Sequence, residues 1–356
     1  MHVADGEISR AYLRYTGRKI AFLCAGCVVL FLLLVTAVSV GAVTIPFLDV
    51  ILIFSGQGDT VTWHAIVWNI RLPQALAAVI AGAGLAVAGV VMQSILRNPL
   101  GSPFTLGISN AAAFGAALAV IVFGAGEMTS TLTDAVVINN PYLTSCAAFL
   151  CCMVATAVIL AIAHLRTASP EVMVLAGVAL SSLFSAGTMF LQYFADDTQL
   201  AAVVFWTFGD VGRAGWTEIW IMGIFVAASC IYFILNAWNY NAVDVGDEAA
   251  KGLGVNVSRL RLVGMVVASL VSAMTVAFLG IIGFVGLVCP HMVRRLIGDD
   301  HRYLIPGSCL AGAILLLAAD TAARLVVAPN LLPVAVLTAF IGAPMFIYLL
   351  FRGYRR

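Results

Sequence analysis

The chain has 356 residues, of which 62% are hydrophobic and only 10% charged, and its mean hydropathy is +1.06. A soluble domain carries roughly 25% charged residues, so this composition excludes a soluble protein. The formal net charge of +1 gives no sign of a nucleic-acid partner. The sequence therefore predicts an all-α polytopic membrane protein in contact with the lipid bilayer.

Apolar segments divide the chain into ten candidate spans, because a bilayer-crossing helix needs about 20 mainly apolar residues. In order they are 20–43, 74–96, 105–124, 142–164, 171–195, 217–236, 262–282, 284–298, 304–324 and 333–351. Glycines interrupt the eighth, and Pro290-His291 is expected to end it early, so we expect a broken or half-length helix there. The predicted domains are a cytoplasmic tail at 1–19, a transmembrane region at 20–351 and a cytoplasmic tail at 352–356. The first tail is too long and polar for a signal peptide.

The distribution of Lys and Arg orients these spans. With both termini in the cytoplasm, 15 of the 18 basic residues lie inside, and only Arg71, Arg213 and Arg324 lie outside. This asymmetry agrees with the positive-inside rule. We therefore expect a multi-pass protein of the inner (cytoplasmic) membrane.

A polar break from Arg97 to Pro103 separates the second and third spans. Pro99 and Pro103 cannot continue a helix, because each lacks an amide hydrogen and restricts the residue before it. The sequence predicts a rigid turn here, on the cytoplasmic face.

Two outer stretches, 44–70 and 196–216, contain tryptophans and are predicted to form helices near the outer surface. The longest inner connection runs from Asn236 to Arg261, and a short helix is predicted within it over 247–252. Asp244 or Gly246 would cap this helix, and Gly252 or Gly254 would close it. The residues fit a protein-docking helix and a solvated loop equally well.

The chain lacks the motifs of several enzyme classes. Its only lysines are Lys19 and Lys251, so it has no phosphate-binding loop. The pair Cys24–Cys27 has no second pair or nearby His, so no metal site is expected.

Ionisable residues within the spans are scarce. Asp320 and Arg324 are spaced to pair near the outer end of the ninth span, and no carboxylate lies in the middle of a span. An ion-coupled secondary transporter would need such a carboxylate, and an intramembrane enzyme acting on lipid would need a catalytic pair. Both classes of protein remain alternatives. The sequence favours a gated passage through the membrane, with energy supplied from outside this chain.

One side of the fifth span is small and mildly polar, with Ser181, Ser182 and Ser185. These serines could line a pathway or allow close helix packing, and the sequence favours neither.

A series of motifs resembles the permease subunits of iron–siderophore, haem and vitamin B12 ABC importers, which are type II importers. They follow the family's order from about 66 to 351: Arg71-Leu-Pro73, Gly82 to Gly89, Gln93, Arg97 to Leu100, Pro103, Leu106-Gly107, Leu175 to Gly177, Phe205 to Gly209, Gly246 to Gly254, Gly283 to Leu287, Pro290-His291, Arg294, Asp320, Arg324, Leu332-Pro333 and Gly342 to Pro344.

This resemblance implies a ten-helix subunit with an inverted repeat, working as a homodimer or close heterodimer. Two cytoplasmic ATPase subunits, which bind ATP and Mg, and an extracytoplasmic substrate-binding protein would complete the importer. No cofactor is expected on this chain. The implied cargo is ferric siderophore first, with haem and cobalamin next.

The resemblance also implies roles for particular residues. Arg71 and Arg324 resemble arginines that dock the binding protein, with Asp320 holding Arg324, and Gln74 stands where a further basic residue is common. For Arg324, docking and structural pairing are both open. The coupling segment, about 237–261, would contact the ATPase through Asp244, Gly246, Asp247, Glu248, Ala249, Ala250, Leu253 and Gly254. The inner gate would comprise Asn98, Leu100, Ala168 and Ser169.

Overall fold

The computed structural model describes residues 10–41, 43–56, 61–127, 137–138, 140–165, 170–326 and 332–353. Helices dominate these ranges, and the one β pair is two residues long on each strand. The elements are α1 (Arg10–Ser39), α2 (Phe47–Phe54), α3 (Val61–Ile66), α4 (Leu72–Ile95), α5 (Ile108–Ala117), β1 (Gly126–Glu127), β2 (Val137–Ile138), α6 (Pro141–Leu165), α7 (Pro170–Tyr193), α8 (Asp197–Thr207), α9 (Trp216–Leu235), α10 (Ala237–Val245), α11 (Asp247–Gly252), α12 (Val257–Leu279), α13 (Val285–Ile297), α14 (His301–Val326) and α15 (Val334–Gly353).

Short non-α elements complete this order. A π-helical turn at Val67–Arg71 joins α3 to α4, a second at Leu118–Val122 extends α5, and a 3₁₀ turn occupies Val211–Arg213. The strands β1 and β2 pair antiparallel, with Gly126 opposite Ile138.

The prediction of an all-α membrane protein is confirmed. In the described part of the chain, seven helices are long and apolar enough to cross a membrane: Tyr12–Ser39, Val61–Ile95, Pro141–Ala163, Pro170–Tyr193, Trp216–Leu235, Val257–Leu279 and His301–Val326. Shorter apolar helices lie at Ile108–Val122 and Val334–Tyr348. The predicted eighth span contains α13, and a helix also lies in each of the other nine predicted spans. That all ten spans cross the membrane stays a prediction.

Helix α13 is half-length, as expected, but one part of that prediction is wrong. Its 13 residues span about 20 Å at 1.5 Å per residue, less than the hydrocarbon core of about 30 Å. Pro290 does not end the helix, which continues to Ile297. The carbonyl of Gly286, which Pro290 leaves without its usual helical donor, faces the close contact with Gly89 of α4.

Helix α4 occupies the centre of the bundle. Within its most apolar window 78% of residues are buried, against 6% for α1. It packs on α9, α12, α13 and α14. Two glycine pairs allow the backbones to approach closely: Gly82 meets Gly312 of α14, and Gly89 meets Gly286 of α13.

Both tryptophan-containing stretches contain helices, as predicted. Residues 44–70 include α2 and α3, and 196–216 include α8. Asp196 caps α8 in a capping box with Gln199, and the amide of Gln199 lowers the pKa of Asp196. The indole nitrogen of Trp216 donates to the carbonyl of Trp68 (3.1 Å), which ties the two stretches together.

Candidate functional site

The segment between α4 and α5, residues 96–107, is here called the elbow. Helix α4 ends in a Schellman motif, in which the amide of Asn98 donates to the carbonyl of Gln93 and that of Arg97 to Ser94, both at 3.1 Å. The residue that glycine usually occupies in this motif is Arg97, with φ of +44°. A left-handed conformation costs a non-glycine residue roughly 1–2 kcal/mol, so the turn holds Arg97 in a strained backbone conformation.

Side-chain hydrogen bonds stiffen the rest of the elbow. Asn98 Oδ1 accepts from the amide of Leu100 (2.9 Å). The hydroxyls of Ser102 and Thr105 each accept from the other residue's amide, at 3.2 and 2.9 Å. The predicted non-helical turn is therefore present. Leu100 is exposed, whereas the two further gate candidates, Ala168 and Ser169, lie outside the described residues.

The coupling segment is helical over most of its length. Its second helix, α11, covers the six residues 247–252 that were predicted. Gly246, rather than Asp244, occupies the N-cap, with φ of +147°. Gly254, rather than Gly252, closes the helix: its φ is +82°, and it donates to Lys251 while Val255 donates to Ala250, a second Schellman motif.

The carboxylate of Asp247 joins three parts of the chain. Arg261, at the start of α12, donates to both of its oxygens at 2.8 and 2.9 Å. Arg97 of the elbow lies 3.4 Å away, between Nη1 and Oδ1. This ion pair joins the elbow to the start of α11.

Asp244 joins α10 to two other helices. Ser94 of α4 donates to its Oδ1 at 2.5 Å. His301, at the start of α14, is fully buried and places Nδ1 3.5 Å from its Oδ2. Asp244 thus faces the bundle interior on one side, although the side chain is one-third exposed.

The turn between α13 and α14 belongs to the same polar group. Arg294 donates to Gln93 (3.0 Å) and pairs with Asp299 (2.8 Å). Burial raises the pKa of Asp300, but hydrogen bonds from Arg302 and Asn241 outweigh burial and lower the pKa to about 2. Asp300 is therefore ionised at neutral pH.

An open cleft of about 580 Å³ lies among these elements. Mixed charges line it, which suits a polar contact surface. The lining residues are Gln93, Ser94, Arg97, Asn98, Pro99, Asn241, Asp244, Val245, Arg294, Asp299 and Asp300.

The end of α10 and the outward side of α11 together present an exposed surface. Leu253 is 75% exposed and Val245 is 79% exposed, while Glu248 and Ala249 also face outward. Ala250 is buried and anchors the helix. Exposed apolar side chains next to charges are typical of an interaction site. We call Val245, Glu248, Ala249 and Leu253 the coupling surface.

At the opposite end of α4, Arg71 and Arg324 are both buried. Arg71 donates to the carbonyls of Val38 and Ser39 at 2.8 and 2.9 Å, and also to that of Val43. Arg324 donates to Ala37 at 3.2 Å. The two guanidinium groups therefore satisfy carbonyl groups at the end of α1, where the helix dipole favours positive charge.

The predicted pairing of Asp320 with Arg324 is present, at 3.1 Å. Gln74 donates to the other carboxylate oxygen of Asp320 at 2.9 Å. Gln74, which stands where a further basic residue is common in the family, is therefore a partner of the ion pair between Asp320 and Arg324. Sequence reasoning missed this contact because Gln74 and Asp320 are 246 residues apart.

The third arginine predicted outside, Arg213, also caps a helix. It donates to the carbonyls of Phe205, Trp206 and Phe208 at 2.5, 3.0 and 2.8 Å, at the end of α8. A single arginine that follows the C-terminus of a helix by six residues is a signal that the sequence offers, because basic side chains there can bind the last carbonyls.

The three serines of α7 have different surroundings. Ser182 is exposed and donates to Val178 of its own helix (3.2 Å). Ser181 and Ser185 are half-buried, and Ser181 lies against Gly107, where α5 begins. Only 17% of the most apolar window of α7 is buried, so much of α7 is free to face lipid or another chain.

No group of three or more His, Cys, Asp or Glu side chains that could hold a metal occurs among the residues that the structure describes. Some of the charged contacts described above join one helix to another, and others lie at exposed surfaces. A bundle of apolar helices around α4, with a polar elbow and an exposed short helix at one end, has the features of a membrane transport subunit.

Comparisons with known proteins give the family. The FecCD transport family matches residues 29–352. The chain is 55% identical over 351 residues to a protein of Methanocaldococcus jannaschii named as an ABC transporter permease, covering 98% of this chain and 99% of the relative. It is 36% identical over 326 residues to the hemin transport system permease HmuU of Yersinia pestis, covering 91% and 93%. It is also 36% identical over 306 residues to the vitamin B12 import permease BtuC of Citrobacter koseri, covering 85% and 86%.

A solved structure agrees with these relatives. A transporter described as of the metal-chelate ABC type, in an inward-facing conformation, superposes with a TM-score of 0.79 at 30% identity, covering 94% of this chain and 99% of that chain. The chain belongs to the FecCD transport family. It is therefore an ABC importer permease, a multi-pass membrane subunit and not an enzyme. Its family implies a location in the inner membrane. The family also implies ATPase and permease partners.

Proposed function

We propose that this permease carries an iron chelate into the cytoplasm by alternating access, with ferric siderophore as the first candidate and haem or cobalamin next. The relatives support this cargo class, since their names specify hemin, Fe(3+)-citrate and vitamin B12. All three are metal chelates. Neither an ion-coupled carrier nor a lipid enzyme is favoured by any specific observation.

The coupling surface is the observation that carries the mechanism. It presents exposed Val245, the last residue of α10, beside Glu248 of the short, capped helix α11 and Leu253 at its C-cap. Two ATPase subunits, with ATP and Mg bound to them, would contact this surface. Both termini and the elbow would then lie in the cytoplasm, as the distribution of basic residues indicates.

A second permease chain would pack on α7, most simply as a homodimer. The exposed face of α7 includes small residues around Ser182 and large ones at its ends, such as Leu175 and Tyr193. The path for the chelate would run between the two copies, with Ser181, Ser182 and Ser185 near it. Asn98 and Leu100, with Ala168 and Ser169, would form the inner gate.

An extracytoplasmic binding protein would dock beside Arg71 and Arg324, with Asp320 holding the second arginine. Both side chains are buried against the end of α1. Docking through them therefore requires that carboxylates of the partner replace backbone carbonyls. A carboxylate would compete with these carbonyls because it adds the attraction of a second full charge to a bond whose donor is already ionised.

Transport is tested in proteoliposomes that contain the permease, its ATPase and its binding protein. Uptake of a labelled ferric siderophore, haem or cobalamin should begin on ATP addition and should persist with a protonophore. Absence of ATP-driven uptake of all three would refute the proposal. Uptake that a protonophore abolishes would indicate the secondary carrier.

Docking is tested by the affinity of the binding protein for permease in nanodiscs. Arg71→Glu combined with Arg324→Glu should weaken binding at least tenfold. Because both arginines also hold α1, thermal unfolding is measured in parallel, and Arg213→Glu is the matched control at the same end of the bundle. Unchanged affinity in the double variant would remove the docking role and leave the structural one.

A further inference from the structure

We propose that the contact between Arg97 and Asp247 links the coupling segment to the elbow, so that a movement of α11 is passed directly to the end of α4. This inference rests on the proposed function, because it requires that α11 is the segment moved by an ATPase. Arg97 and Asp247 are positioning residues in this link, since neither is proposed to touch the chelate.

Asp247 is held firmly on one side. Arg261 is buried and binds both carboxylate oxygens at 2.8 and 2.9 Å. Two hydrogen bonds from one guanidinium group fix both the position and the orientation of the carboxylate. As the first residue of α11, Asp247 therefore moves together with α11 and the start of α12.

The contact to Arg97 is looser. Its distance is 3.4 Å, and the side chains of Arg97 and Asp247 are 40% and 29% exposed. A pair that is partly hydrated can separate and reform at little cost. This is the property expected of a contact that changes during a transport cycle.

The backbone positions of Arg97 and Gly246 bring the guanidinium group close to the start of α11. Arg97 adopts a left-handed conformation that glycine would adopt without strain. Its Nη2 atom would lie only 3.3 Å from a Cβ placed on Gly246, the cap of α11. The guanidinium group thus lies directly on the backbone turn that begins the coupling helix.

The end of α4 also contacts the coupling segment through a second contact, a hydrogen bond. Ser94, at the end of α4, donates to Asp244 at the end of α10. The end of α4 is therefore joined to both helices of the coupling segment, across about 150 residues of sequence. Of the two contacts, only that of Arg97 reaches α11.

The link is tested with Arg97→Gly in the complete transporter, because glycine relieves the backbone strain while it removes the guanidinium. We expect thermal stability equal to or above wild type, together with at least a fivefold rise in ATP hydrolysed per chelate transported. Arg97→Lys, which keeps a positive charge, should recover part of the coupling. Arg18→Gln, which removes an exposed charge on α1 outside the coupling segment, should change neither quantity. Wild-type coupling in Arg97→Gly would overturn the inference.

A second measurement is independent of transport. Hydrogen exchange of amides 247–252 in the purified full chain should accelerate at least threefold in Arg97→Gly and stay unchanged in Arg18→Gln. Unchanged exchange in both variants would overturn the link even if transport is confirmed. Faster exchange in Arg97→Gly alone, combined with no ATP-driven uptake by the wild type, would uphold the contact and refute the proposed function.

Discussion

The crossing of α4 and α14 at Gly82 and Gly312 gives a sharp prediction about packing. A Cβ added at Gly82 would lie 2.7 Å from the carbonyl carbon of Gly312 and 3.0 Å from the amide nitrogen of Ala313, closer still to the carbonyl oxygen of Gly312. Backbone atoms cannot rotate away, so the two central helices must separate. Gly82→Ala is therefore expected to destabilise the protein.

The expected magnitude follows from two opposing terms. Replacing glycine with alanine inside a helix contributes about 1 kcal/mol of stability. Forcing extra volume into a packed contact costs typically 1–3 kcal/mol, and opening a gap between the helices loses dispersion contacts along both. The net loss should be about 1–2 kcal/mol.

Gly223 of α9 provides the matched control. A Cβ there would meet only Ile80 at 3.5 Å, an ordinary contact, so Gly223→Ala should stabilise by up to about 1 kcal/mol. Thermal unfolding in detergent or nanodiscs measures both variants. The reasoning is refuted if Gly82→Ala is as stable as Gly223→Ala.

Three further predictions concern polar contacts. Gln74→Met removes a hydrogen bond from buried Asp320 and should cost about 1–3 kcal/mol in thermal unfolding; no change would show that the amide is dispensable. Arg213→Gln should speed hydrogen exchange at 203–208, because three carbonyls lose their donor; equal exchange would contradict the capping role. Asp300 has a lowered pKa of about 2, so its contribution is present above pH 4 and lost as pH falls from about 4 to 2. Asp300→Asn should reduce the loss of unfolding temperature over that range, with Glu248→Gln as an unaffected control.

Local signals in the sequence were sufficient where neighbours along the chain decide the structure. The bounds of α11 follow from Gly246 and Gly254, because each supplies a positive φ that stops a helix at that point. The half-length of α13 follows from the glycines before it. The effect of Pro290 was not predictable in this way, because the carbonyl that it frees lies against Gly89, a residue far away in sequence.

The candidate site was harder to predict because its contacts are long-range. Spacing indicated the pair of Asp320 and Arg324, which lie four residues apart on one helix. It could not indicate that Arg97 meets Asp247, since no helical or strand period connects the end of α4 to the start of α11. It also could not show that Arg71 is occupied by backbone carbonyls, because that depends on where α1 ends.

The two ends of the bundle use arginine in different ways, and the difference has a mechanical consequence. At the end marked by Arg71 and Arg213, guanidinium groups donate mainly to carbonyls at helix ends, so they fix the shape of the backbone. At the elbow end, Arg97, Arg261 and Arg294 contact side chains from other elements. Contacts between side chains can exchange partners without unwinding a helix. Rearrangement during transport is therefore expected to be greatest at the elbow end.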